Sequence, residues 1–127
     1  MEIIFSKKVP SPIGPYSQAV KAGGLLFVSG QIGILPATGE LTGPGFAEQA
    51  RQAMENIHEI IKAAGLDLKH AVKFEVFLKD MTDFSGFNHI YEQFFDAGCA
   101  PARQVVGVSC LPKDALVEIS CICEFPD

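Results

Sequence analysis

From Leu116 to Phe125 the chain alternates with a period of two. Val117, Ile119, Cys121, Cys123 and Phe125 fall on one face, and Leu116, Glu118, Ser120, Ile122 and Glu124 on the other. The first face is wholly apolar and the second half apolar, so this strand needs cover on both sides. Leu25-Leu26-Phe27-Val28 makes the same demand, being apolar on both faces. The chain offers two amphipathic helical stretches to supply that cover, enough for one face of a sheet. The pattern predicts a single α+β domain over residues 1–127: one mixed sheet with two helices on one face. The uncovered face predicts burial against further copies of the chain, a homo-oligomer.

The remaining elements fit this frame. Ser17–Ala22 and Leu25–Ser29 flank Gly23-Gly24, which predicts a hairpin. After Pro44-Gly45, the residues Phe46, Ala50, Ala53, Met54, Ile57, Ile61 and Ala64 form one helical stripe, and Gly65 marks its stop. Ala71–Lys79 alternates as a strand. A second helix starts with Thr82 or Asp83 as its cap and carries the stripe Phe84, Phe87, Tyr91, Phe94 and Phe95. Strands over Arg103–Cys110 and Leu116–Phe125 are joined by Leu111-Pro112-Lys113-Asp114. Lys8–Pro15, with three prolines and a glycine, is a turn-rich loop.

Several function classes recede on composition. The net charge is -5 and the basic residues are scattered, only Arg51 and Arg103 being arginines. Nucleic-acid binding needs clustered cations to displace counterions, so nucleic acid is not an expected partner. No apolar run reaches the roughly 20 residues of a membrane span. The first residues lack the order of a secretory leader, and the protein reads as cytosolic. Cys99, Cys110, Cys121 and Cys123 form no C-x-x-C pair and read as free thiols. His58, His70 and His89 show no metal-ligand spacing.

A few polar residues stand out against the apolar pattern. Arg51 has Glu48 and Glu55 within one helical turn and reads as a surface ion-pair residue. Arg103 opens an apolar strand with Asp96 as its only nearby acid. It suits a planar anion, a carboxylate or phosphate, or else a long-range salt bridge. Glu118 interrupts the last strand. Burial there raises a carboxyl pKa and fits it for proton transfer near neutral pH, unless the group pairs with Arg103 across a short loop. Tyr16 precedes the hairpin, as a loop anchor or a ligand contact. Asn88 borders the second helix's apolar stripe, and its amide needs partners. Gly30, at the end of a strand, permits close backbone approach.

Three stretches, taken together, identify a family. They are Gly14-Pro15-Tyr16-Ser17-Gln18-Ala19-Val20, then Ser29-Gly30-Gln31-Ile32 with Pro36-Ala37-Thr38-Gly39-Glu40, and then Pro101-Ala102-Arg103 with Leu111-Pro112-Lys113-Asp114-Ala115-Leu116-Val117-Glu118. In this order and spacing the chain closely resembles the RidA/YjgF family of enamine/imine deaminases, over essentially its whole length. The resemblance implies a chorismate-mutase-like α+β fold, a homotrimer with its sheets facing a central barrel, and ligand sites in clefts between subunits. It implies a cytoplasmic hydrolase, a 2-iminobutanoate/2-iminopropanoate deaminase. Such an enzyme converts 2-imino acids derived from 2-aminoacrylate or 2-aminocrotonate to 2-keto acids and ammonia, with no metal or organic cofactor. By the same resemblance Arg103 corresponds to the carboxylate-binding arginine, Glu118 to the water-orienting glutamate and Tyr16 to the site tyrosine. Gly30 and Asn88 correspond to pocket positions. Val105 stands where many relatives carry cysteine, at a substrate-binding position served mainly by backbone groups, so activity is expected to survive the change.

Two other readings compete with this one. A non-catalytic regulator could use the same arginine to grip a small carboxylate. A ribonuclease or translation inhibitor is the other, opposed by the acidic charge and by the lack of a histidine pair.

Overall fold

A computed structural model describes residues 1–126. The elements run β1 (Glu2–Ile4), β2 (Ala19–Ala22), β3 (Leu25–Gln31), α1 (Phe46–Ala63), β4 (Ala71–Leu78), α2 (Phe84–Tyr91), β5 (Ala102–Gly107) and β6 (Val117–Glu124). They build one six-stranded mixed sheet in the order β1-β2-β3-β6-β4-β5. Neighbours are antiparallel except β4 and β5, which are parallel and joined through α2. Both helices lie on one face, as the hydrophobic periodicity requires.

The local causes are readable. Gly23 and Gly24 take φ of 59° and 78° in the β2–β3 turn, a pair of left-handed residues that glycine adopts without a Cβ penalty. At the head of α1 the Glu48 side chain reaches back, and Gly45 N–H donates to its Oε1 at 2.8 Å. The apolar stripe of α1, including Ala50, Ala53, Met54, Ile57 and Ile61, is fully buried on the sheet. Opposite it lie Leu26, Phe74, Val76, Leu78, Val117 and Ile119, each no more than 1% exposed. Each such large side chain contributes about 2 kcal/mol of transfer free energy. Phe74 also packs edge-on to Tyr91 and Phe95, at centroid distances of 5.5 and 5.6 Å.

Two buried polar residues of α1 shape the loops at one end of the sheet. Gln49 donates from Nε2 to the Gly43 carbonyl at 2.7 Å, and its Oε1 accepts from Leu116 N–H at 2.9 Å. Asn56 Nδ2 donates to the Ile34 carbonyl at 2.9 Å. These bonds pin the 32–43 loop and the entry to β6 against the same helix.

The other face of the sheet has no helix on it. Across it Val20 opposes Phe27 and Phe27 opposes Ile122. Phe27 is 41% exposed and Val106, further along, 40%. This apolar face is the one whose sequence demanded cover.

The structure adds detail at two places and corrects the sequence expectation at two others. The N-terminal residues, to which the sequence pattern assigns no element, form edge strand β1 on β2. Asp83 holds the N-cap position of the second helix, as the sequence pattern expects, but its side chain makes no cap hydrogen bond. Asp80 caps a preceding 3-10 turn, its carboxylate accepting from Thr82 N–H at 2.9 Å, and α2 continues from that turn. The strand at Arg103 ends at Gly107, three residues short of Cys110. Finally, β5 and β6 are not neighbours despite their short connection, because β4 lies between them. A parallel β4–α2–β5 crossover places β5 on the far side of β4, which local spacing does not reveal.

Cys99, Cys110, Cys121 and Cys123 are all free, the last two buried. Among the described residues no three His, Cys, Asp or Glu side chains cluster as metal ligands. No helix is long and apolar enough to cross a membrane.

Candidate functional site

Glu118 is the second residue of β6. Its register partner on β4 is Phe77, which places it on the helix-free face. The pairing of β3 with β6 slips between Val28 and Gln31, so Ser29 and Gly30 form an irregularity beside it. A Cβ on Gly30 would lie 2.9 Å from Glu118 Cδ, so the glycine leaves the carboxyl its space. The half-buried carboxyl joins none of the ion pairs among the described residues, and burial pushes its pKa above the usual carboxylate value.

A half-open cavity of about 730 Å³ surrounds this carboxyl. Tyr16, Ser29, Gly30 and Gln31 line it on the strand side, and Ile13, Ile34 and Pro36 supply apolar walls. Buried Gln18 fastens the proline-rich loop, donating to the carbonyls of Ser6 and Pro10 at 3.2 and 3.0 Å. Ser29 Oγ donates to the Ser17 carbonyl at 2.7 Å, which holds the loop after Tyr16 on β3. Tyr16 itself is 50% exposed at the cavity's rim.

Lys113 also lines the cavity, and Lys113 and Asp114 are non-glycine residues with φ of 57° and 56°. Left-handed backbone costs such residues about 1–2 kcal/mol each. The turn is held in place by Lys113 Nζ, which donates to the Gly39 carbonyl at 3.1 Å, across 74 positions of sequence. Neither Lys113 nor Gln18 stood out in the sequence, though both lie within the motif stretches.

Arg103 lies elsewhere. Its register partner on β4 is Phe74, a buried residue under the helices, so its side chain is on the helix face, opposite Glu118. The guanidinium carbon lies 4.9 Å from the Tyr91 ring centroid, 5.7 Å from Phe87 and 5.8 Å from Phe84. It too joins no ion pair among the described residues. The alternative in which Arg103 and Glu118 neutralise each other within one chain is therefore wrong. Asn88, on α2, has a buried Oδ1 without a hydrogen-bond partner, and so does the Tyr91 hydroxyl, whose pKa burial pushes up to about 12. Val105 is next but one to Arg103 on β5 and packs partly buried against the core. Tyr16, Gly30 and Glu118 thus line one cavity, with Arg103 and Asn88 on the other face of the sheet. Within one chain, Arg103, Asn88 and Val105 do not line the Glu118 cavity.

The profile of the endoribonuclease L-PSP family, the family of YjgF and RidA, matches residues 6–125. The chain belongs to this family. The new RidA/YjgF member is 50% identical over 121 residues to a RutC family protein of Pyrococcus horikoshii, covering 95% of each chain. It is 48% identical over 121 residues to the 2-iminobutanoate/2-iminopropanoate deaminase of Bos taurus, covering 95% of this chain and 88% of that one. Among solved structures, Escherichia coli TdcF with bound serine superposes at a TM-score of 0.94 with 41% identity, over 99% of this chain and 100% of the other. The α+β sheet with two helices on one face is shared with the solved structure of TdcF.

Proposed function

We propose that this RidA/YjgF-family protein hydrolyses 2-imino acids such as 2-iminobutanoate and 2-iminopropanoate to the 2-keto acid and ammonia, as a homotrimer whose sites lie between subunits. The observation that carries this reading is the separation of two unpaired charged groups. Glu118 sits in a cavity on one sheet face and Arg103 on the other, so one ligand reaches both only if a second copy brings its Arg103 to the first copy's cavity. The apolar, helix-free face around Phe27 and Val106 supports such assembly, since burial there removes a large exposed patch from water. The name of the bovine relative supports the activity.

The chemistry follows from the groups. Arg103 of the neighbouring copy grips the substrate carboxylate through two parallel N–H···O bonds and fixes the imine carbon over Glu118. The Glu118 carboxylate takes a proton from water as the oxygen attacks that carbon, giving a tetrahedral carbinolamine. The protonated carboxyl returns the proton to nitrogen, the C–N bond breaks to release ammonia, and the Glu118 carboxylate takes the hydroxyl proton as the keto group forms. A carboxyl with a raised pKa can perform both transfers near neutral pH. Tyr16 stands at the mouth where substrate enters. The residues ask for no cofactor, since an imine protonated at nitrogen is already electrophilic.

The test is release of 2-ketobutyrate in a coupled threonine dehydratase assay. Arg103→Ala and Glu118→Ala homotrimers should each fall to the uncatalysed rate. Randomly mixed subunits of the two variants should recover about a quarter of wild-type activity, because one of three sites is intact in every mixed trimer. Full activity of Arg103→Ala alone, or no recovery on mixing, overturns the reading. TdcF holds serine in its solved structure, which favours a second reading, a non-catalytic binder of small amino or keto acids. Saturable 2-ketobutyrate binding without faster imine loss would establish that instead.

A further inference from the structure

We propose that Tyr91 and Phe84 are positioning residues for Arg103, an aromatic cradle that occupies the place an acid partner would take. The proposal rests on the reading in which Arg103 grips the substrate carboxylate.

The three rings around the guanidinium come from one stripe of α2, at positions 84, 87 and 91, so a single helix presents them together. Tyr91 is the nearest, at 4.9 Å from the guanidinium carbon to its ring centroid, within the range of cation–π attraction. The Tyr91 hydroxyl has no hydrogen-bond partner, so what this residue supplies to Arg103 is its ring. Tyr91 is itself held by Phe87 and Phe95, at centroid distances of 5.4 and 4.8 Å, and by Phe74 beneath it. Phe84 closes the outer side and is 38% exposed.

The choice of rings over a carboxylate has a chemical consequence. An aspartate or glutamate beside Arg103 would hold it through the same parallel N–H donors that a substrate carboxylate uses, and would compete for them. A ring face attracts the cation while accepting none of those N–H bonds in its plane. The guanidinium is thereby fixed in direction with its fork left free for a planar anion. Fixing it in advance strengthens carboxylate binding equally in the ground and transition states, so its loss appears in KM and leaves kcat in place.

The experiment measures steady-state imine hydrolysis by the assembled protein with substrate generated in situ, together with melting temperature, for Tyr91→Leu, Tyr91→Phe, Phe84→Leu and Arg103→Ala. Tyr91→Leu should raise KM about fivefold to tenfold with kcat within twofold, and Tyr91→Phe, which keeps the ring, should restore KM to within about twofold. Phe84→Leu should raise KM about twofold to threefold with the melting temperature unchanged, since the side chain is partly exposed. This variant decides the matter if Tyr91→Leu fails to fold. An unchanged KM in Phe84→Leu and in a folded Tyr91→Leu overturns the cradle. An equal rise in Tyr91→Phe and Tyr91→Leu also overturns it, because the hydroxyl would then be the working group. Activity surviving in Arg103→Ala would instead strike down the underlying reading of the site.

Discussion

Gly30 and Glu118 share one volume: a Cβ on Gly30 would stand 2.9 Å from both Cδ and Oε2 of the Glu118 side chain. The obstructed group is the end of a flexible side chain, so the fold can yield by rotating the carboxyl aside. Gly30→Ala should therefore leave thermal stability within a few degrees of wild type. On the proposed mechanism the displaced carboxyl no longer faces the imine carbon, and kcat/KM should drop on the order of a hundredfold, the scale of a misplacement of about 1 Å. Melting curves and the coupled assay, run side by side, check the two halves.

Glu118 also links stability to pH. Its folded pKa is raised by burial, so the folded state prefers the protonated form. Its unfavourable contribution is absent below the unfolded pKa and grows as pH rises through the folded value. Glu118→Gln removes that contribution. The variant should melt higher than wild type at pH 7 and level with it near pH 4, while losing the acid limb of the kcat/KM profile together with nearly all activity. A melting temperature lower than wild type at neutral pH would contradict the assignment of the raised pKa to burial.

Gln49 is 2% exposed and bridges the Gly43 carbonyl and the Leu116 N–H. Gln49→Leu leaves both backbone groups buried or half-buried without a partner. Urea denaturation should show a loss of about 2–4 kcal/mol. The cavity walls at 32–43 and 112–118 should loosen together, visible as faster amide exchange in both segments.

The helix-free face offers a direct test of assembly. Phe27 lies at its middle, between Val20 and Ile122. Phe27→Asp places a charge where the proposed interface is apolar, at a cost of several kcal/mol per copy when buried unpaired. Sedimentation should show monomers, and imine hydrolysis should vanish although Tyr16, Gly30 and Glu118 are untouched. A fully assembled and active Phe27→Asp protein would show that assembly uses another surface.

The sequence announced its elements more clearly than their neighbours. The α1 stripe, the Gly23-Gly24 turn and the alternation of β6 are local patterns, and each appears where periodicity puts it. The pairing of β5 with β4 is not local. A short loop joins β5 to β6, yet β4 comes between them, because a parallel crossover is decided by helix packing and not by loop length. That one step of topology sends Arg103 to the helix face and Glu118 to the other, a separation invisible in their spacing of 15 positions. Gln49 and Asn56 were illegible for a related reason. They are polar residues at the border of the helix's apolar stripe, and they are buried because distant loop backbones come to them. Tyr16, Gly30 and Glu118 line one cavity, a grouping that only the family resemblance implied, whereas Val105 packs partly buried against the core.

A β-sheet is a wall, and this one has its cation on one side and its acid on the other. No bending of a lone polypeptide short of unfolding carries both around the wall to a single small molecule. On the proposed function a newly synthesised copy thus holds halves of two different workplaces and owns neither, so dilution below the assembly threshold should silence the protein without altering a single fold contact.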